Sequence, residues 1–268
     1  MQGVRYLQHV ASPFVTNIPA DKMELVRPAM EGTRRALEAA FAGKVERLVI
    51  TSSLAAVMYG HDRSRTRPFT AADWTRLDGR DVNAYVESKT RAEKLAWEIA
   101  ERHGRTRGLS VINPSAIFGP LLDEDPGTSV AMLQRLMNGS LPAAPNMSFL
   151  VVDVRDVAAL QIAAMLNPQA GGHRYPMGEG PFRMMQIAEM LKEAFPAYAR
   201  KLPRFQAPDW LVRIVGLLDK DVRGNLGELG VVKYVDTSDA AGLIGKPFIP
   251  AREALAQSAR SLIANHIV

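Results

Sequence analysis

Tyr85 and Lys89, four residues apart, are the pair of side chains in this 268-residue chain with the clearest chemical use. On a helix such residues share a face with Cβ atoms ~5–6 Å apart, so a phenol and an ammonium meet at one place. A nearby cation favours phenolate and draws the tyrosine pKa down from ~10. A tyrosine tuned this way can pass a proton to a carbonyl oxygen near neutral pH. Taken alone the pair is weak evidence. Six tyrosines and nine lysines in a chain of this length meet at that spacing by chance in roughly one chain in five.

Context adds weight. The apolar run Leu48-Val49-Ile50 ends in Thr51-Ser52-Ser53, and parallel α/β sheets bind ligands beyond the carboxyl ends of their strands. A serine hydroxyl placed there can hold a substrate oxygen while the phenol donates its proton. Two more strand-like runs end in similar small turns. Residues 4–11 stop at Ser12-Pro13, and Leu109–Ile112 gives way to Asn113-Pro114-Ser115.

The intervening segments supply the elements that would position these groups. Asp21 can cap a helix running to about Phe41, ended by Gly43. Ala84–His103 is strongly helical and is closed by Gly104. Residues 60–82 are polar, which predicts a long surface loop with one helical turn near Ala71–Leu77. Further on, the pattern predicts a helix at Ser129–Met137, a strand at Phe149–Val152 and a helix at Arg155–Leu166. Alternating strands and helices predict an α/β fold with a parallel sheet. After Gly172 the order loosens, with helices at Met184–Phe195 and Ala251–Asn265, as expected for a smaller lobe. The expected division is 1–172 as a partial dinucleotide-binding domain and 173–268 as mostly a substrate-binding lobe, with some exchange of chain between them.

Composition narrows the function classes. The chain has no cysteine, which excludes disulfides, thiolate metal sites and cysteine nucleophiles and fits a reducing compartment. No signal peptide pattern or run of ~20 apolar residues is present, so a cytoplasmic protein without a membrane partner is expected. The excess of 33 basic over 28 acidic residues gives a net charge of +5. These charges are scattered, and the one cluster, Arg63, Arg65 and Arg67, has no aromatics between its members, so it reads as a solvated loop and no nucleic-acid partner is expected. Five histidines stand singly, with no pair at metal spacing, so no metal site is expected. Asp153 and Asp156 fit the start of the helix near Arg155 better than a pair of catalytic carboxylates.

Several segments taken together are similar to the extended short-chain dehydrogenase/reductase superfamily, that of the NAD-dependent epimerases and dehydratases, and most of all to its dihydroflavonol-reductase-like branch. They are His9-Val-Ala-Ser-Pro-Phe14, Glu31-Gly-Thr33, Arg47-Leu-Val-Ile-Thr-Ser-Ser53 and Tyr85-Val-Glu-Ser-Lys-Thr90. Asn113-Pro-Ser-Ala-Ile-Phe-Gly-Pro120, Val152-Asp-Val-Arg-Asp-Val-Ala158 and Val235-Asp-Thr-Ser238 follow in the family's order. The resemblance implies an incomplete Rossmann-type parallel sheet with a smaller C-terminal substrate lobe. It implies a reductase of ketones or aldehydes using NADP(H) rather than NAD(H), with a small-molecule carbonyl substrate. Ser53, third in its triplet, would orient the carbonyl, Tyr85 would be the general acid, and Lys89 would lower the Tyr85 pKa and bond the nicotinamide ribose. Ala11 and Ser12 would lie along the cofactor, Tyr85 as well as Lys89 would touch it, and Pro114 and Ser115 would flank the nicotinamide. Helices 22–41 and 84–103 would pair two subunits in a homodimer.

Such enzymes open on a strand, a glycine-rich turn and a helix whose N-terminus holds the pyrophosphate. The present chain begins at what corresponds to the fourth strand, so an upstream start or a truncated chain is expected, with an apolar sheet edge exposed at residues 4–11. Gly224-Asn-Leu-Gly227-Glu-Leu-Gly230 has the spacing of the glycine loop but follows no strand and opens no helix, which predicts an ordinary turn. Two other readings stay open. One is a sugar-nucleotide epimerase or dehydratase using the same Tyr/Lys pair, with Arg183, Arg204 and Arg213 available for a diphosphate. The other is an inactive remnant serving as an interaction module.

Overall fold

The computed structural model describes residues 1–13 and 21–268. Phe14, which closes the first family-like segment, lies outside the described residues. In chain order the elements are β1 (Tyr6–His9), α1 (Met23–Ala42), β2 (Arg47–Thr51), α2 (Ala84–Arg102), β3 (Leu109–Pro114), β4 (Ala116–Phe118), α3 (Gly127–Met137) and β5 (Ser148–Asp153). There follow α4 (Val154–Leu166), β6 (Arg174–Met177), β7 (Glu179–Arg183), α5 (Met184–Ala194), α6 (Asp209–Leu218), α7 (Lys220–Asn225), α8 (Ser238–Ile244) and α9 (Ala251–Ala264). No described helix is long and apolar enough to cross a membrane.

The chain divides into two compact units. The first comprises Met1–Pro114, Val157–Met177 and Val235–Pro247. The second comprises Ser115–Asp156, Gly178–Tyr234 and Phe248–Val268. Relative to the cut expected at residue 172, β6 and the α8 segment join the first unit, and residues 115–156 join the second.

The first unit is built on a parallel sheet of order β1-β2-β3-β6. All six residues of β3 are buried, as a strand flanked on both sides and covered on both faces must be. Leu48, Ile50, Leu109 and Val111 face α1 and α2, packing with Leu37, Phe41, Leu95 and Ile99. Residues alternate across a strand, so Thr51 and Ser110 point the other way. There Gln161 of α4 donates to Thr51 Oγ1 at 2.7 Å, and Ser110 donates to the Ala170 carbonyl at 2.8 Å. Arg47 donates to the Met165 and Leu166 carbonyls, where α4 leaves its last acceptors unsatisfied. β1 is an edge strand, with Val4 and Val10 exposed at either side of it.

The second unit holds a smaller mixed sheet of order β4-β5-β7, whose core also takes side chains from α3, α5 and α9. The strand expected at Phe149–Val152 therefore exists, but it pairs with β4 and β7 rather than extending the parallel sheet. Asp153 accepts from the Arg155 backbone amide and pairs with its guanidinium, so it starts α4 as the sequence predicts. The glycine-spaced stretch 224–230 comprises the end of α7, a short 3-10 turn and Gly230 at φ +72°.

One expectation needs correction, and helices α6, α7 and α8 and strands β4, β6 and β7 were not foreseen. The segment 60–82 forms no helical turn near Ala71–Leu77, and it is packed rather than merely solvated: Phe69 and Thr75 are each 2% exposed. The Arg174 guanidinium takes up the Ala71 and Asp73 carbonyls, acceptors that a helical turn there would use itself. Thr75 ties the loop to the Ala55 carbonyl, and Arg65 stacks 3.9 Å from the Phe69 ring centroid while bonding Asp73. Val235 pairs with Phe69, and Asp236 accepts from the Ser238 amide at the start of α8.

Candidate active site

Ser53 lies just beyond β2, in extended backbone, and caps a 3-10 turn at Leu54–Ala56 by accepting the Ala55 N–H at 3.1 Å. A serine suits this place because its short hydroxyl reaches the otherwise unpaired amide of a turn. Asn83 does the same for α2, accepting the Val86 amide at 3.0 Å, and so sets the first turn of the helix that carries Tyr85 and Lys89.

The structure brings these three residues together within the first unit. Ser53 and Tyr85 share a side-chain hydrogen bond. The Lys89 ammonium lies 5.9 Å from the Tyr85 ring centroid. Lys89 is 9% exposed, whereas Tyr85 keeps part of its ring in contact with solvent and has its hydroxyl desolvated.

The electrostatics differ from expectation. Burial raises the Tyr85 pKa above the ordinary phenol value, and the Ser53 hydrogen bond only partly offsets this. The expected acidification of the phenol by Lys89 is therefore absent from this resting arrangement, and the phenol stays protonated at neutral pH. The perturbed base is Lys89 itself. Burial brings its pKa down to about 8, against an upward pull from the Glu93 charge. His9, at the end of β1, is also lowered, first by burial and then by the Lys89 charge, which places these two cation-forming groups near one another.

The other residues singled out by sequence are distributed as follows. Ala11 is exposed and Ser12 half-buried, two and three residues beyond His9. Pro114 is buried at the end of β3, next to Asn113, whose Nδ2 donates to the Ser53 carbonyl at 3.2 Å. Ser115 begins the second unit. Its Oγ is buried with no hydrogen-bond partner among the described residues, and a Cβ on Gly178 would come within 2.5 Å of it. In the first unit the Asn113 Oδ1 is likewise buried without a partner. Buried polar atoms rarely stay unpaired. Within the first unit, the open Asn113 Oδ1 at the end of β3 fits a polar cofactor. Among the described residues no cluster of ligands suited to a metal ion is found.

Sequence reasoning missed a set of buried polar residues behind this site. Glu93, Arg174 and Ser52 are 2%, 7% and 6% exposed, and Asn113 is fully buried. Glu93 continues the spacing of Tyr85 and Lys89 by one more turn, so an extended i, i+4, i+8 reading would have found it. Arg174 carried no comparable signal, since its contacts are with residues far away in the chain.

Residues 4–178 match the model of the NAD dependent epimerase/dehydratase family. A cinnamoyl-CoA reductase of Medicago truncatula is 35% identical over 215 residues, which is 78% of this chain and 64% of that protein. An NADPH-dependent methylglyoxal reductase of Saccharomyces cerevisiae is 33% identical over 219 residues, 75% of this chain and 64% of that protein. The match thus spans about 64% of the length of these relatives. Among solved structures, Gre2 from Candida albicans in complex with NADPH is similar with a TM-score of 0.77 and 26% identity. That likeness covers 98% of this chain and 78% of the other.

Proposed function

The chain belongs to the NAD dependent epimerase/dehydratase family, and on that footing we propose that it reduces an aldehyde or ketone with NADPH, Tyr85 being the proton donor. The observation that carries this reading is the Ser53–Tyr85 hydrogen bond with Lys89 one helical turn further on. Ser53 Oγ accepts from Ala55 and its proton is shared with Tyr85, a bond that a substrate oxygen would replace on entering the site. Tyr85 stands beside it with its proton retained by burial, which is the state a general acid needs before reaction. Bound reduced nicotinamide supplies a hydride to the carbonyl carbon. Tyr85 gives its proton to the carbonyl oxygen, and the phenolate left behind is stabilised by Ser53 and by the Lys89 charge. Lys89, with no other hydrogen bond to its ammonium found among the described residues, is free to bind the ribose. Ala11 and Ser12 are assigned to the cofactor, and Pro114 and Ser115 to the nicotinamide. The preference for NADPH over NADH follows the NADPH-dependent relatives.

The same reading includes a homodimer through α1 and α2. These helices pack side by side and present Arg34, Glu38, Glu98, Glu101 and Arg102 outward, a surface of mixed sign suited to a second copy. It also places the protein in the cytoplasm, in keeping with a chain that has no cysteine.

The test is NADPH titration by fluorescence, then loss of NADPH absorbance with methylglyoxal and a panel of aldehydes and ketones. Saturable binding and turnover are expected, with Tyr85→Phe lowering kcat ~10²–10⁴-fold. Absence of binding at millimolar NADPH, or parent-like turnover in Tyr85→Phe, refutes the reading.

A further inference from the structure

Glu93 stands four residues beyond Lys89, on the same face of α2 as Tyr85. Placing a carboxylate in a protein interior is costly unless it is paired and hydrogen-bonded. Three strands supply its partners. Ser52 Oγ, just after β2, and Asn113 Nδ2 on β3 (2.7 Å) both donate to Oε2, while Arg174 Nε on β6 donates to Oε1. Asn113 Nδ2 also reaches the Ser53 carbonyl. Arg174 extends the network outward, donating to the Ala56, Ala71 and Asp73 carbonyls and stacking 3.7 Å from the Trp74 ring centroid. Stability alone does not call for this arrangement, because apolar residues of similar volume hold a core as well as a buried ion pair does, or better. Two of its three hydrogen-bond partners, Ser52 and Asn113, belong to the strand ends around Ser53, and its charge acts on Lys89.

Resting on the catalytic reading of Ser53, Tyr85 and Lys89 above, we infer that Glu93 is a positioning residue. Through Ser52 and Asn113 it fixes the strand end bearing Ser53, and with its charge it holds the Lys89 ammonium. Lys89 is faced by Tyr85 and Glu93 on its own helix, by His9 on β1 and, through Glu93, by Arg174 on β6. Removing the charge of Glu93 or of Arg174 must therefore displace the Lys89 titration in opposite directions.

Competitive labelling of the purified 268-residue chain with acetic anhydride across pH, read at the Lys89 peptide by mass spectrometry, follows that titration without cofactor or turnover. The parent midpoint is expected at about 8. Glu93→Gln keeps the shape and removes the charge, and its midpoint falls by about one unit or more. Arg174→Gln leaves Glu93 facing Lys89 alone, and its midpoint rises. Glu93→Asp, which retains the charge, stays nearer the parent than Glu93→Gln does. Loss of packing would move both charge variants the same way. A folded Glu93→Gln protein with the parent midpoint overturns the inference, as does a folded Arg174→Gln protein whose midpoint falls or stays. If circular dichroism shows one of them unfolded, the other decides. Turnover by Tyr85→Phe tests the underlying reading separately. Parent-like activity there removes the catalytic assignment, whereas an inactive Tyr85→Phe with an unmoved Lys89 titration in Glu93→Gln removes only the positioning role.

Discussion

Replacing Lys89 by methionine is expected to stabilise the fold at neutral pH while abolishing catalysis. The folded Lys89 titrates at about 8 against 10.5 for a free lysine. At ~1.36 kcal/mol per unit, the charged form is disfavoured in the native state by about 3 kcal/mol. Lys89 is 9% exposed, so solvent screening takes little from this figure. Below pH about 8 the ammonium is charged in both folded and unfolded chains, and burial exacts its full cost. Between about 8 and 10.5 the unfolded chain holds more protons, so stability rises with pH. Above that window the amine is neutral in both states and the cost is gone. Methionine fills nearly the same volume without charge. Urea unfolding of parent and Lys89→Met, followed by circular dichroism, therefore gives a stability difference about 3 kcal/mol more favourable to methionine at pH 7 than at pH about 10.5. A difference that is constant across the window refutes the argument, since the lysine would then be paired or solvated well enough to pay nothing for its burial.

Two further substitutions probe neighbouring links. Ser53→Ala removes the one hydrogen bond that lowers the Tyr85 pKa, so the phenol titrates higher still in ultraviolet difference spectra, and kcat falls ~10–10²-fold. An unmoved phenol titration places Ser53 away from Tyr85. Gly171→Ala and Gly172→Ala separate contact from backbone strain: a Cβ at 171 would lie 1.8 Å from the Arg107 carbonyl oxygen, while at 172 it meets nothing within 4 Å but sits at φ +88°. Thermal unfolding is expected to show a loss of about 2 kcal/mol or more for the first and about 1 kcal/mol for the second. Equal losses would show that the 3-10 turn carrying Arg107 moves aside freely.

Much of the first unit is legible in the sequence because its elements are set locally. The run Leu48-Val49-Ile50 is apolar on both sides, as a central parallel strand requires, and the helical pattern over Ala84–His103 becomes α2. Ser53, Tyr85 and Lys89 can be found because they sit at element boundaries or at helical spacing. What sequence did not reveal is long-range. Arg-Tyr-Pro-Met at 174–177 does not resemble a buried strand until Arg174 has Glu93, 81 residues away, to neutralise it. The polar segment 60–82 has a surface composition, and only the Arg174 contacts to its carbonyls explain why it packs. The raised Tyr85 pKa was missed for the same reason. Spacing reveals that a cation is near, whereas the desolvation that outweighs it depends on residues gathered from several elements.

The energetics of the site point in one direction. A protein selected for stability alone would not bury Lys89 beside Tyr85 at a cost of about 3 kcal/mol, nor set a second charge, Glu93, behind it. The cost has a counterpart in geometry. Ser53 spends a lone pair of its hydroxyl on the Ala55 amide and keeps its proton, and Tyr85 keeps its own because burial favours the neutral phenol. Two hydroxyls thus lie together, and in the proposed reaction a substrate oxygen would accept from both in place of the bond they now share. In the reaction proposed above, a carbonyl oxygen would gain basicity as its carbon is reduced, so both bonds would strengthen toward the transition state, and the phenol would be the group to give up its proton. The Lys89 charge would then do little for the resting phenol and much for the phenolate, a difference in binding between ground and transition states of the kind on which catalysis depends.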